Sequence, residues 1–392
     1  MKNEMRLLLA ICVIAGGSVA AQAAVPPQGV SKDEIVLGSI QDLSGPTAGF
    51  GKQLRAGMLL RVAEINEQGG INGRKVNLVV EDSGYDPKKA VLAAQKLVNK
   101  DKIFAMVGHF GTAQNNAAMP IQFEKNVFNF FPITGAREMY EPAHRLKYAF
   151  AVSYYDQIRD FLPRLVKEKS AKKVCVIYQD DEFGLEVARG GEAGLKTVGM
   201  EFVEKTSFKR GATDFSSQVA RMKAAGCDLV VLGTIIRETI GTIAEGRKSG
   251  FNPTYLGASA AYTDLIHKLG GKAMDGMYAV MGSMNPYVDD ASPKVAFWAN
   301  KYKTKFGEDP SVFSVYGYYI IDTFATAAQK AGGTLTTESF IKAMDSTTVP
   351  QDMFGSPQMT FSPTKRLGSA LSRLSQLQDA RWVVVQDYPK VQ

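Results

Sequence analysis

The stretch Glu34-Ile-Val-Leu-Gly-Ser39 decides the fold, because its aliphatic and β-branched residues predict a strand buried within a sheet. A Gly- and Ser-rich loop at residues 42–51 leads from it into an amphipathic segment at about residues 50–68. That segment has the periodicity of a helix packed on one face, and residues 75–81 predict a second strand. This strand–helix–strand order is typical of an α/β fold with parallel strands.

The same alternation continues along the chain. Asp86-Pro87 predicts a helix start, with Asp as N-cap and Pro at the first helical position, and Asp214 predicts another cap. Two series of strands, each covered by helices, predict two α/β lobes. Strands are predicted at residues 103–107, 127–131 and 148–152, then at 174–178, 201–208, 229–233, 254–257 and 277–281, with helices at 293–306 and 314–331 and a last strand at 381–385.

The composition is that of a globular protein with few reactive groups. The 392-residue chain is 45% hydrophobic and 22% charged, which excludes collagen-like, disordered and disulfide-dense classes. Its net charge of +7 is not gathered in a Lys/Arg cluster, so we expect no nucleic-acid partner. Three His and three Cys, without H-E-x-x-H, C-x-x-C or G-x-S-x-G spacing, predict no metal site, no cofactor and no enzymatic activity.

The N-terminus has the pattern of a secretory signal peptide. Lys2 and Arg6 precede a wholly apolar stretch at residues 7–15, and Ala21-Gln22-Ala23 is a small-residue cleavage site. The apolar stretch is far shorter than the roughly 20 residues that span a bilayer, and an anchoring N-terminal helix is the alternative. We therefore predict that residues 1–24 are a signal peptide and that the mature protein works in the periplasm.

Two cysteines, Cys175 and Cys227, lie in the predicted mature chain. An oxidising compartment permits a disulfide between them. Their apolar neighbours equally fit small buried side chains, so the sequence leaves both interpretations open.

The turns after the predicted strands are the places to seek a ligand site, because open α/β sheets bind ligands there. Thr112 and Ala113 stand at the start of a helix, where free N–H groups and a hydroxyl suit an anion. Thr134 offers a second hydroxyl, and each Thr is alternatively a plain cap. Phe50 and Phe183 are either core residues or walls that stack on a ligand.

Two further features of these turns point less clearly to a ligand. Gly45 and Gly51-Lys52 only approximate a phosphate-binding loop, since the spacing is one residue too long and Gln53 stands where Ser or Thr should follow. Arg237 is either a solvated surface residue or a second contact to a ligand carboxylate.

Several short segments match one family in order and spacing over nearly the whole predicted mature chain. They are Ile35-Val-Leu-Gly-Ser39 with Leu43-Ser-Gly-Pro46, Ile65-Asn-Glu-Gln-Gly-Gly-Ile-Asn-Gly73, Asp82 with Tyr85-Asp-Pro87, Val107-Gly-His109, Asp181-Glu-Phe-Gly184, Thr213-Asp-Phe-Ser216 and Asp275-Gly-Met277. These segments resemble the periplasmic binding proteins for leucine, isoleucine and valine, and their relatives in ABC importers.

The resemblance implies a type I periplasmic binding protein, in which two Rossmann-like lobes are joined by a three-stranded hinge and close on a ligand. It implies a first lobe of residues 25–151 and 284–361, and a second lobe of residues 152–283 and 362–392. The crossings between the lobes would fall near residues 150–153, 281–285 and 362–369.

The resemblance also implies which residues of the first lobe hold a ligand carboxylate. Thr112 falls where the family uses a hydroxyl, with the Ala113 backbone N–H beside it. Thr134 and Gly135 lie in the segment that supplies the second pair of contacts. Relatives carry a Thr at the position of Gly135, so Thr134 would substitute for it. Phe50 aligns with an aromatic lid.

The second lobe departs from the amino-acid binders of the family. Phe183 aligns with a Tyr of the binding wall, and Ile235 aligns with a second Tyr. Ser259 stands where amino-acid binders carry an acidic residue for the ligand ammonium. Because a desolvated ammonium needs a carboxylate or several oriented acceptors, Ser259 favours a carboxylate without an ammonium. Arg237, close after Ile235, would then face a second acidic group.

We therefore predict a non-enzymatic solute-binding component of an ABC importer, working as a monomer and delivering a small carboxylate to a membrane permease. The ligand is a branched-chain or hydrophobic amino acid or, as Ser259 favours, an aromatic or other organic acid. The alternatives are a ligand-sensing receptor domain of the same fold and an α/β enzyme.

Overall fold

The computed structural model describes residues 27–388, so the predicted signal peptide lies outside the described residues. The strands are β1 (Glu34–Gln41), β2 (Lys75–Asp82), β3 (Ala105–Val107), β4 (Phe128–Phe130), β5 (Lys147–Tyr148), β6 (Val174–Gln179), β7 (Phe202–Phe208), β8 (Leu229–Gly233), β9 (Thr254–Gly257), β10 (Tyr278–Met281), β11 (Thr348–Val349), β12 (Met359–Thr360), β13 (Arg373–Gln378) and β14 (Arg381–Gln386).

Helices alternate with these strands, as the periodicity predicts. None of the helices within residues 27–388 is long and apolar enough to cross a membrane. The α-helices are α1 (Ala48–Glu67), α2 (Pro87–Gln95), α3 (Thr112–Glu124), α4 (Tyr154–Lys169), α5 (Glu182–Lys196), α6 (Ser216–Ala225), α7 (Arg237–Lys248), α8 (Asp264–Gly270), α9 (Pro293–Phe306), α10 (Val312–Lys330) and α11 (Thr337–Asp345).

Two sheets organise the described chain. The first has the order β2-β1-β3-β4-β5 and is wholly parallel. The second has the order β14-β13-β10-β9-β8-β6-β7 and is parallel except at one edge, where β13 and β14 run antiparallel. We call each sheet with its covering helices the first lobe and the second lobe. The predicted two-lobed α/β architecture is confirmed.

Strand β1 shows why the first sheet is covered on both faces. Ile35 and Leu37 pack into the core that contains Leu54 of α1, whereas Ile40 packs on the other face against Ala90 of α2. Successive residues of a strand point to opposite faces, so a strand with helices on both sides must be apolar throughout. This explains the uninterrupted apolar run in the sequence.

Two glycines bring α10 back onto the first lobe. A Cβ added at Gly57 of α1 would lie 2.0 Å from the carbonyl oxygen of Ser314, and one at Gly317 of α10 would lie 2.1 Å from that of Leu54. The two helix backbones therefore touch where neither helix carries a side chain. This contact ties the late helices of the chain to its first helix.

The chain passes between the lobes three times, after β5, after β10 and after β12. The first and third crossings support each other, because Ala149 pairs with Leu367 in a parallel bridge. The second is held by the Met284 N–H, which donates at 2.8 Å to the carbonyl of Phe354 in the loop before β12. The three crossings therefore lie close together where the two lobes meet.

Some elements differ from the sequence prediction for identifiable reasons. Strand β5 ends at Tyr148, because the chain turns into the first crossing and the Ser153 side chain caps α4 by accepting from the Asp156 N–H. Helix α6 begins two residues after Asp214, whose carboxylate accepts from the Ser216 N–H. Strand β13 was not predicted, because its sequence Arg-Leu-Ser-Gln-Leu-Gln has no apolar run.

A disulfide joins Cys175 of β6 to Cys227, which precedes β8, with 5.9 Å between the two Cα atoms. Both side chains are buried. The bond connects two strands that are already neighbours in the second sheet. The sequence left open a disulfide or two unpaired buried side chains, and the structure shows the disulfide.

Replacing both cysteines by alanine should lower the free energy of unfolding by roughly 2–4 kcal/mol, because the disulfide closes a long loop in the unfolded chain. The linked residues are separated by 52 positions. Denaturation in urea, followed by circular dichroism, measures the loss. A thiol reductant should cause the same loss in the wild type and none in the double variant. Equal stability of the two proteins under oxidising conditions would contradict this prediction.

Candidate ligand-binding site

A cavity of about 550 Å³, which we call the front cavity, lies between the two lobes. Its walls come largely from the loops that follow parallel strands, which is where open α/β sheets bind ligands. It is lined by Phe50, Tyr85, Phe110, Gly111, Thr112, Ile133, Thr134, Gly135, Phe150, Ala151, Tyr154, Phe183, Ile235, Ser259, Ala260, Phe313 and Tyr316.

Most of the predicted site residues meet in this cavity. Ala113 lies in the first turn of α3 but is not among the lining residues. Arg237 also lies outside the lining: it begins α7, is 40% exposed, and its guanidinium is 3.6 Å from the Glu238 carboxylate. The predicted residues that line the front cavity are Phe50, Thr112, Thr134, Gly135, Phe183, Ile235 and Ser259.

Two threonine hydroxyls form the polar corner of the first lobe. The Oγ1 atoms of Thr112 and Thr134 are 2.6 Å apart, and the Ala136 N–H donates to the Thr134 hydroxyl at 3.2 Å. Thr112 begins α3, whose first N–H groups have no acceptor within the helix. The helix dipole adds partial positive charge there. This corner, which we call the hydroxyl pair, can therefore bind an anion without a charged side chain.

Tyr154, from the second lobe, reaches the same corner. Its backbone N–H donates to the Gly135 carbonyl at 2.7 Å. Burial raises the pKa of its phenol, while hydrogen bonding to the Gly135 backbone and the Thr134 hydroxyl opposes that rise. The phenol thus stays protonated and lies beside the hydroxyl pair. No motif in the sequence distinguished Tyr154 from its neighbour Tyr155.

Aromatic rings form the apolar walls. Phe50 stacks on Phe313, with 3.8 Å between ring centroids and 13° between planes, and meets Phe110 nearly edge-on. On the second lobe, Phe183 meets Tyr154 edge-on at 4.9 Å. The sequence alone left open whether Phe50 and Phe183 are core residues or walls of the ligand site. Both are almost fully buried and both face the cavity.

Gln157, which no sequence motif singles out, holds Ser259 in place. The Gln157 Oε1 accepts from the Ser259 N–H at 2.8 Å, and its Nε2 donates to the Ser259 hydroxyl at 3.0 Å and to the Val152 carbonyl at 2.7 Å. The backbone partners fix which end of the amide is the donor. The Ser259 oxygen therefore already accepts a hydrogen bond, and its own proton is free to be donated to the cavity.

The front cavity contains no ionisable acid or base of the Asp, Glu, Lys, Arg or His types among its lining residues in the described chain. Burial raises the pKa of the lining phenols of Tyr85 and Tyr316 as well, so these also remain neutral. Residues 27–388 contain no group of three His, Cys, Asp or Glu side chains arranged for a metal ion. The groups that the lining residues present to this cavity are hydroxyls, backbone groups and aromatic rings.

Two charged pairs lie beside residues that line the cavity, and each includes an arginine that contacts the other lobe. Arg137, which follows β4, binds both carboxylate oxygens of Glu186 of α5 at 2.8 and 3.0 Å and covers the Tyr155 ring. Hydrogen bonding to Glu186 raises the pKa of Arg137. On another side of the cavity, Arg210 pairs with Asp181 at 2.6 Å and lies over the Tyr85 ring.

A family profile described as "Periplasmic binding protein" matches residues 34–380, which is most of the chain. The chain belongs to the periplasmic binding protein family. It is 28% identical over 306 residues to an amino acid binding protein of Pseudomonas aeruginosa, covering 76% of this chain and 79% of that relative. It is 26% identical over 339 residues to the leucine-, isoleucine-, valine-, threonine- and alanine-binding protein of the same organism, covering 84% and 86%.

Among solved structures, this binding protein resembles a fatty acid ABC transporter substrate-binding protein from Thermomonospora curvata, with a TM-score of 0.85 and 22% identity over 94% of this chain and 95% of that one. That likeness concerns the fold. The resemblance and the type I periplasmic binding protein fold expected from the sequence are confirmed. The expectation of a binding protein rather than an enzyme is also confirmed, since the relatives are named as binding proteins.

Gly135 is glycine in this periplasmic binding protein for a steric reason. A Cβ there would lie 2.8 Å from the Val152 carbonyl oxygen and 3.1 Å from the Tyr154 nitrogen. A threonine, which the family resemblance would place here, would collide with the first crossing. The hydroxyl at this corner therefore comes from Thr134.

Gly135→Ala should destabilise the protein by roughly 1–3 kcal/mol, because the added methyl group overpacks the first crossing. Gly282→Ala is the matched control, since a Cβ at Gly282 meets no atom within 4 Å. Thermal denaturation of the two variants measures the difference. If Gly135→Ala were as stable as Gly282→Ala, the close approach at Gly135 would not constrain the lobes.

Proposed function

We propose that this chain is the periplasmic solute-binding component of an ABC importer, exported by residues 1–24 and acting as a monomer that hands its ligand to a membrane permease. Membership in the periplasmic binding protein family supports this role, and the relatives' names supply its class. The lobes would comprise residues 25–151 with 284–361 and residues 152–283 with 362–392.

The ligand, on this proposal, is a small hydrophobic carboxylate that lacks an α-ammonium group. The observation that carries it is the environment of Ser259: its neutral hydroxyl already accepts one hydrogen bond from Gln157, so it offers an ammonium only one further lone pair and no negative charge. A buried ammonium without a carboxylate or several acceptors costs several kcal/mol. The front cavity has no acidic lining residue to meet that cost.

The first lobe would hold the carboxylate. The hydroxyl pair of Thr112 and Thr134, the N–H groups of Ala113 and Gly135, and the α3 dipole all favour an anion at one corner. The rest of the ligand would lie against Phe50 and the second-lobe residues Phe183 and Ile235. Arg237 lies outside the front cavity lining. At the rim of the cavity it would contact only a ligand that carries a second acidic group.

The lobes would open and close about the three crossings, and the Arg137–Glu186 pair would hold the closed form. The Glu186 side chain is only 3% exposed with Arg137 in place. Opening would hydrate both charges, and closing would bring them together again. Ligand binding and formation of this pair would therefore support each other.

The decisive experiment compares two ligands that differ in the ammonium group, 3-phenylpropanoate and phenylalanine, by titration calorimetry on the purified mature protein. Phenylalanine should bind at least about a hundredfold more weakly, because several kcal/mol of desolvation are uncompensated and about 1.4 kcal/mol is tenfold. Ser259→Glu should narrow this gap, and Thr112→Val should weaken 3-phenylpropanoate. Tight binding of leucine, isoleucine, valine or phenylalanine by the wild type would refute the proposed ligand class.

Arg137→Met should weaken ligand binding by about 2 kcal/mol or more, since closure would bury Glu186 without its partner. The double variant Arg137→Met/Glu186→Met should recover much of the loss. Arg159→Met is the control, because Arg159 also lies near the Tyr155 ring but pairs with Asp156 and Asp160 of its own helix. Calorimetry gives the affinities, and small-angle scattering reports closure. If the Arg137→Met protein bound ligand and closed like the Arg159→Met protein, the Arg137–Glu186 pair would not hold the closed form.

A further inference from the structure

A second cavity of about 430 Å³, which we call the rear chamber, lies behind the front cavity towards the crossings. The two cavities share Phe150, Ala151, Ser259 and Tyr316 in their walls. The two cavities are therefore neighbours that meet at these four residues. The rear chamber is lined by Phe150, Ala151, Val152, Gln157, Ser259, Met281, Gly282, Ser283, Tyr316, Tyr319, Ser356, Pro357, Met359, Leu371 and Ser372.

The rear chamber combines apolar side chains with hydroxyls and, among its lining residues in the described chain, no charge. Some of the hydroxyls are already committed to one another. Ser356 donates to the Asp352 carboxylate at 2.8 Å, so the Ser283 hydroxyl, 2.7 Å from that of Ser356, must be the donor of their shared bond. These serines hold the wall together and leave little capacity for a ligand.

Tyr319 differs from those serines. It is 6% exposed, and its hydroxyl makes no hydrogen bond of good geometry within residues 27–388; its polar neighbour is the hydroxyl of Thr323, which also lacks a well-formed hydrogen bond there. Burial raises the pKa of this phenol, so it remains protonated. A buried hydroxyl without a partner costs free energy, and a ligand oxygen would remove that cost.

Ser259 stands where the two cavities join. Because its oxygen accepts from Gln157, it offers a proton to a ligand passing between them. The Ser259 hydroxyl at the junction and the Tyr319 hydroxyl at the chamber wall can thus each donate a hydrogen bond to a ligand oxygen. An acidic oxygen would be poorly stabilised here, since the chamber has no cation and no helix N-terminus among its lining residues in the described chain.

We propose that the rear chamber is a subsite for the far end of the ligand and takes an uncharged oxygen, such as a phenolic hydroxyl, carried on an apolar stem. This inference rests on the proposed function and names its ligand more closely: a carboxylate at the hydroxyl pair, an aromatic or aliphatic body, and a neutral oxygen at the Tyr319 end. It makes Tyr319 and Ser259 determinants of specificity.

The test compares 3-(4-hydroxyphenyl)propanoate with 3-phenylpropanoate by calorimetry, with benzoate as a shorter carboxylate. In the wild type the hydroxylated ligand should bind about tenfold more tightly, the effect of one well-made buried hydrogen bond. In Tyr319→Phe, which removes only an unpartnered hydroxyl and should fold normally, the ratio of the two affinities should fall to about one. A second variant, Gly282→Leu, adds bulk to the chamber wall at a position with no atom within 4 Å, and should weaken 3-phenylpropanoate more than benzoate.

The outcomes separate this inference from the proposed function. If the carboxylates bind but neither the distal hydroxyl nor either variant changes their relative affinities, the rear chamber is not a ligand subsite and the proposed function stands. If the carboxylates do not bind but 4-methylphenol does, and Tyr319→Phe abolishes its binding, the subsite stands and the proposed ligand class fails. If neither the carboxylates nor 4-methylphenol binds, both fail.

Discussion

The backbone hydrogen bond from the Tyr154 N–H to the Gly135 carbonyl, 2.7 Å long, is the constraint on which the site depends. It joins the start of α4 in the second lobe to the loop after β4 in the first. The approach is possible only because residue 135 has no Cβ. It also brings the Tyr154 phenol to the hydroxyl pair, so that one contact sets both the closed arrangement of the lobes and the polar corner of the cavity.

The distribution of charge follows from the same closed arrangement. The front cavity is lined by neutral groups, while the pairs Arg137–Glu186 and Arg210–Asp181 lie outside its lining and beside the lobe boundary. Unpaired charge within an apolar cavity would be costly, whereas paired charge at its margin is stabilised. On the proposed function, affinity for a ligand anion would depend on oriented dipoles and hydroxyls.

Gln157 links the neutral lining of the cavity to the ligand specificity proposed for it. Its amide is oriented by a backbone donor at one end and a backbone acceptor at the other, so the Ser259 hydroxyl accepts from Gln157 and keeps its own proton for a second partner. Ser259 in turn stands between the front cavity and the rear chamber. A residue outside the front cavity lining thus controls the polarity of the junction through two hydrogen bonds and one serine.

The secondary-structure elements and the family resemblance could be predicted from the amino-acid sequence alone. The apolar run of β1, the Asp86-Pro87 start of α2 and the ordered family segments are local patterns, and each is read from neighbouring residues. They also located Thr112, Thr134 and Ser259 after strands, where an open sheet collects such residues. The unpredicted strand β13 marks the limit, since its polar sequence becomes a strand only by pairing with β10 and β14.

Only the tertiary structure decided what those residues do together. Gln157 and Ser259 are far apart in sequence, as are Tyr319 and the crossings that form the rear chamber, and no local pattern encodes such contacts. The pairing of Cys175 with Cys227 and the exclusion of Arg237 from the cavity lining were likewise open until the chain was folded. The physical reason is that helix and strand patterns depend on the nearest residues along the chain, whereas donor direction, cavity shape and steric exclusion depend on residues that folding brings together.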